Sequence, residues 1–121
     1  MDDGMRRKVC QLIAGIVITD EDLDPREEAF VERMLLKFGL DASERDVIYP
    51  LVDGEEAAAT MRSLPPEIQS QAFQLLIEAA AADGKVVTEE REYLGTVALA
   101  LGMAEKEVER RLDEELARQK S

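Results

Sequence analysis

A chain of 121 residues with 45% apolar and 35% charged side chains can bury one core, is too short for two, and is too apolar to stay disordered. Its formal charge of −12 repels phosphate backbones, and no run nears the roughly 20 apolar residues that span a bilayer, which argues against nucleic-acid binding and membrane insertion. Histidine is absent, which removes the commonest general base, the serine–histidine and cysteine–histidine nucleophile systems, and any imidazole-ligated zinc site.

Ala, Leu, Glu and Arg dominate, and apolar residues recur at helical spacing with no sustained alternation, so the expected fold is all-α. A first helix is expected from about Asp3 to Thr19, with Met5, Val9, Leu12, Ile13 and Ile16 on one stripe. Arg6-Arg7-Lys8 followed by Val9 to Ile18 has the outline of a secretion signal. Gln11 interrupts it, however, and it ends in Thr19-Asp20-Glu21-Asp22 with no small-residue cleavage site, so a cytoplasmic location is expected. Cys10 lies in the same helix; a lone cysteine forms no internal disulfide, fits a reducing compartment, and is read as an inert buried thiol.

Asp24-Pro25-Arg26-Glu27 signals the second helix: Asp24 caps, Pro25 takes the first helical position, and Glu27 closes a capping box. That helix carries Phe30, Val31, Met34, Leu35 and Phe38, and Gly39 ends it in the left-handed conformation. Asp41 with Glu44 opens a third helix running into Pro50, and Asp53 with Glu56 a short fourth reaching about Arg62. Pro65-Pro66 opens a fifth with Ile68, Ala72, Leu75, Leu76 and Ala79 inward. Thr88 is expected to cap a sixth on Tyr93, Leu94, Val97, Ala98 and Leu101, ended by Gly102. The last runs from about Glu105 to Gln119 on Val108, Leu112 and Leu116. About seven helices with short connections predict a compact bundle of local hairpins, one domain over 1–121. Tyr49, Tyr93, Met34 and Met61 read as core or edge residues, and the two short basic clusters, Arg6-Arg7-Lys8 and Arg110-Arg111, are interleaved with acids or apolar residues.

Sliding the chain on itself reveals an internal repeat. At one fixed offset Leu12 meets Leu75, Asp20 meets Asp83, Glu27 meets Glu90, Phe30 meets Tyr93, and Gly39 meets Gly102. Leu40 then meets Met103, and Glu44 meets Glu107. Aliphatic matches are cheap between amphipathic helices; matched acids and glycines at loops and stops are not. Two helix–acidic loop–helix–Gly units are therefore expected, over approximately 5–48 and 68–111.

The loops of these units hold the candidate site. Asp20 falls one turn beyond Ile16 on the buried stripe, and Asp83 stands likewise to Leu76 and Ala79. A carboxylate there opposes the helix dipole and is desolvated, so it requires a partner. Three partners fit: backbone N–H groups of the next helix, a nearby base such as Arg26 or Lys85, or a divalent cation. From Asp20 to Glu28 six of nine residues are acidic, and a carboxylate-only set suits calcium, magnesium or manganese. Asp20-x-Asp22-x-Asp24 has the opening spacing of an EF-hand, but Pro25 occupies the glycine turn and Val31 the closing glutamate position, so it is not one.

Ala81-Ala82-Asp83-Gly84-Lys85, followed by Thr88-Glu89-Glu90-Arg91-Glu92-Tyr93-Leu94, resembles the signature of the TerB-like tellurite-resistance family. Thr19-Asp20 with Asp24-Pro25-Arg26-Glu27-Glu28 is similar to the same signature in the first unit, with Glu21 in place of Gly. The resemblance covers nearly the whole chain. It implies an all-α fold of two related helix units, a bacterial cytoplasmic setting, and association with resistance to tellurite and other stresses. Carried over residue by residue, it implies cation-linked acids at Asp20 and Glu27 in one unit and Asp83 and Glu90 in the other; the loop spacing adds Asp24. The J-domain to which related domains are fused has no counterpart, because His-Pro-Asp is absent.

Two functions remain in play, neither catalytic. One is a stress-associated module that binds a divalent cation through its paired acidic loops. The alternative is an adaptor for other proteins of a stress-response complex, with the acids serving as caps and solubilising charge. An enzyme is not expected, since no P-loop, dinucleotide fingerprint or nucleophile elbow is present. No resident cofactor is expected beyond that cation, and a monomer is favoured.

Overall fold

A computed structural model describes residues 2–18, 25–40, 43, 51–82 and 86–120, with the side chains of Arg26, Glu27 and Lys120 outside the description. Among the described residues there are six helices and no strand. The first, α1 (Asp3–Val17), is started by Asp2, whose Oδ1 accepts the Met5 N–H at 2.8 Å. It stops at Val17 rather than at Thr19, because Ile18 turns extended. α2 (Pro25–Lys37) opens on the expected proline. α3 (Gly54–Arg62) is capped by Asp53, whose Oδ1 accepts the Glu56 N–H at 2.8 Å. α4 (Pro66–Ala81) follows the extended Pro65, and α5 (Thr88–Ala100) and α6 (Glu105–Lys120) complete the set. The helix expected from Asp41 into Pro50 lies outside the described residues.

One cap differs from expectation. Val87, not Thr88, is the N-cap of α5, and Thr88 is already helical. Glu90 decides this: its Oε1 accepts the Val87 N–H at 3.0 Å, the reach of a glutamate three residues into a helix. Valine has no acceptor to return the bond, so only the glutamate half of a capping box operates here.

The stops of α2 and α5 are alike. Gly39 and Gly102 both adopt φ +75, a conformation that only glycine holds without strain. The Leu40 N–H reaches back to the Leu35 carbonyl at 2.8 Å and the Gly39 N–H to that of Leu36 at 3.0 Å. Met103 to Ala98 at 2.9 Å and Gly102 to Leu99 at 3.1 Å repeat the pattern, so both ends form Schellman motifs.

The buried residues form a single apolar core. α4 lies within it and touches α1, α3, α5 and α6. It is enclosed on more than the one expected stripe: Phe73, Ile77, Ala80 and Ala81 are buried beside Ala72 and Leu76. The cause is α6, which covers the side of α4 that a one-stripe reading leaves to solvent; Arg111 of α6 stacks on the Phe73 ring, 5.7 Å from its centroid. Fully burying side chains such as Phe73, Leu76 and Ile77 contributes about 1.5–3 kcal/mol each. Val108 and Leu112 of α6 are buried as expected; Leu116, expected beside them, is only half-buried, and Glu115 is buried instead, its carboxylate 2.8 Å from Arg118 and accepting from Gln119 at 3.2 Å.

α1 touches α3, α4 and α5, whereas α2 touches only α1 among the helices. Cys10 is buried as expected, and burial pushes its thiol up from 9.0 to about 11, against a smaller opposing pull from Arg7. No helix among the described residues is long and apolar enough to cross a membrane.

Candidate functional site

Gly15 interrupts α1 among good helix formers, and its position explains why. A Cβ built there would sit 2.8 Å from both the Tyr93 hydroxyl and the Val52 carbonyl, so only a glycine lets α5 and the approach to α3 close on α1. Tyr93 uses that approach. It is 7% exposed, and its hydroxyl donates to the Leu12 carbonyl at 2.7 Å, joining α5 to α1.

Beside this junction is an open cleft of about 400 Å³ between the end of α1, the start of α3 and the first turns of α5. Gly15 and Tyr93 lie at its base, and Asp53, Glu55, Glu89 and Glu92 contribute carboxylates to its walls. Such walls concentrate negative potential and favour cations over anions. The Tyr93 phenol is held well above its ordinary value of 10.0, first by burial and then by the negative charge of Asp53 and Glu56. It is therefore neutral at ordinary pH, and its proton is committed to the Leu12 carbonyl.

Of the residues expected to form the site, Asp20, Asp24 and Asp83 lie outside the described residues. Glu27 is placed in the first turn of α2, with its side chain outside the description. Glu90 is at the start of α5, with Oε1 on the Val87 N–H. Among the described residues no three acids or thiols stand close enough to enclose a metal ion. Ile18, the last described residue before the first loop, and Glu89, just beyond the second, line the same cleft.

Sequence reasoning missed this cleft. In the sequence Asp53 reads as a helix start, and Glu89 and Glu92 stand out only within the stretch that carries the family resemblance. Gly15 was the available signal, because a glycine inside a helix costs about 1 kcal/mol relative to alanine and so marks a close approach.

The Arg110-Arg111 cluster is neutralised locally, and in the other Arg6 lies 3.4 Å from Asp3. Arg110 pairs with Glu107 and Glu114, and Arg111 with Glu107 at 3.2 Å. These two arginines hold the Glu107 carboxyl below the usual range, mainly through hydrogen bonds. No protein-family model, no curated protein and no solved structure matches the chain.

Proposed function

We propose that this chain is a non-enzymatic binding module of the TerB-like kind, acting in a bacterial stress or tellurite-resistance response, whose two acidic loops gather a divalent cation. The observation that supports it best is that Ile18 and Glu89, which flank those loops, border one acid-walled cleft. In this reading Asp20, Asp24 and Glu27 meet Asp83 and Glu90. A carboxylate-only set of that kind takes calcium, magnesium or manganese. The cap from Glu90 to Val87 fixes the exit of the second loop, which is how a ligand set is made rigid.

The same reading treats 5–48 and 68–111 as two copies of one unit. The shared φ of Gly39 and Gly102 and their matching stops support it. It places the protein in the cytoplasm as a monomer that works beside other proteins of a stress-response complex.

The test is the melting temperature of chelator-stripped protein with and without millimolar calcium, magnesium or manganese, alongside Asp20→Asn and Asp83→Asn. A bound ion selects the folded state and adds about 2.7 kcal/mol at a hundredfold excess over its dissociation constant. One ion should raise the melting temperature, and either variant should abolish the rise. If no ion shifts the wild type and both variants only melt lower, the aspartates are caps and the adaptor reading replaces this one.

A further inference from the structure

α2 and α4 both pack on α1 without a close backbone approach to each other, and a second groove of about 230 Å³ lies between them. Its character is unlike that of the acidic cleft. Ile13 of α1 forms the floor, and the walls are Phe30 and Met34 of α2, Phe38 just beyond its end, and Leu75 of α4, with Glu78 of α4 also lining the groove. Phe30, Phe38 and Leu75 are only partly buried, so large apolar side chains face the opening.

The lip along α2 carries Arg33 and Lys37, both exposed, and among the described residues neither has an ion-pair partner. Several other arginines are answered by the chain's own acids, Arg91 by Glu109, Arg110 by Glu107 and Glu114, and Arg118 by Glu115, whereas Lys8, Arg62 and Lys106 are, like Arg33 and Lys37, exposed without an ion-pair partner among the described residues. What sets Arg33 and Lys37 apart is their place beside half-buried rings, where they outnumber Glu78, the one acid among the described residues lining the groove.

From this we infer that the α2/α4 groove is a docking site for an acidic amphipathic helix of another protein. The shape fits: Phe30 to Phe38 spans eight residues, about 12 Å at the helical rise, so the groove accommodates two turns of a partner. Partner anchors at i, i+3 or i+4, and i+7 reach the apolar walls, while acids flanking that stripe meet Arg33 and Lys37. The inference is independent of cation binding, since the groove and the cleft share no lining residue.

Two synthetic helical peptides test it on the full chain, identical in a leucine stripe at i, i+3, i+4 and i+7. One is flanked by glutamates and the other by lysines, and binding is read by fluorescence anisotropy at low and high salt. The glutamate peptide should bind, and added salt should weaken it. Arg33→Glu with Lys37→Glu should lower its affinity by about tenfold or more and make the lysine peptide the better ligand. Both positions are exposed, so the double variant keeps its fold, and circular dichroism checks this. Phe30→Ser should weaken both peptides and leave the charge preference unchanged. Failure of the glutamate peptide to bind, or equal binding of both peptides unmoved by the reversal, overturns the proposal. So does sedimentation showing that the wild type dimerises and that the reversal dissolves the dimer, because the occupant is then a second copy.

Discussion

Phe30 and Tyr93 occupy the same register in the two halves of the chain, each early in a helix that ends at a left-handed glycine, yet their surroundings differ. Tyr93 is enclosed where α5 meets α1 and α3, and its hydroxyl is bound to the Leu12 carbonyl. Phe30 stands half-buried at the edge of a groove, on a helix that touches only α1 among the helices. One apolar pattern thus serves as structural core in the second half and as accessible surface in the first. The difference teaches that helical periodicity reports which face is apolar and leaves open whether anything covers it.

Mutations can break that comparison, beginning with the largest expected effect. Leu94 is fully buried on α5, and Leu94→Ala should cost about 2–5 kcal/mol in chemical denaturation. Phe30→Ala, at a half-buried site, should cost about 1 kcal/mol, and equal costs would refute the contrast between the two helices. Gly15→Ala should destabilise by about 1–3 kcal/mol, because its methyl meets the Tyr93 hydroxyl and the Val52 carbonyl at 2.8 Å. A neutral Gly15→Ala would mean that α5 can retreat from α1 freely. Gly39→Ala and Gly102→Ala should each cost about 1 kcal/mol through backbone strain at φ +75. The two values should agree, since nothing lies within 4 Å of a Cβ at Gly102 and only the flexible end of Arg6 near one at Gly39.

The smallest effect is a dependence on pH. Burial raises Cys10 from 9.0 to about 11 and lifts Tyr93 above 10.0. Both groups bind their protons more tightly in the folded chain than in the unfolded one. The stability they contribute is therefore complete below about pH 9 and is lost as pH climbs through the folded values. Melting temperature should fall between pH 9 and 11, and Tyr93→Phe or Cys10→Ala should each flatten that decline. Tyr93→Phe should also lower stability at neutral pH by about 0.5–1.5 kcal/mol through the lost hydrogen bond.

Much of the fold was legible because its signals are local. Pro25, Pro66, Asp53 and the two stop glycines each act on backbone within one turn, and each stands where the sequence places it. Thr88 was misplaced because two residue types compete at that junction: a hydroxyl suits a cap, but the reach of Glu90 selects Val87. The burial of Phe73 and Ile77 was illegible for another reason. It depends on α6 lying over α4, and Glu115, a charged residue facing inward, disguises the stripe that does so. The acid-walled cleft was hidden similarly, since Gly15, Asp53 and Glu89 come together only through tertiary packing. Of the expected cation ligands, only Glu90 has a described side chain, and its helix-capping contact was not the role assigned from sequence.

The hydrogen bond from Tyr93 to Leu12 joins positions 81 residues apart, and its length along the chain has a consequence for synthesis. α1 leaves the ribosome ahead of all four helices that pack against it. At typical elongation speeds, about 4–16 s separate the emergence of Leu12 from that of Tyr93. For that interval the stripe of Val9, Leu12, Ile13 and Ile16 lacks the cover of α5, and neighbouring nascent chains on a polysome present the same incomplete core. Mutual repulsion among chains this acidic is then a kinetic safeguard, holding unfinished copies apart until α5 arrives.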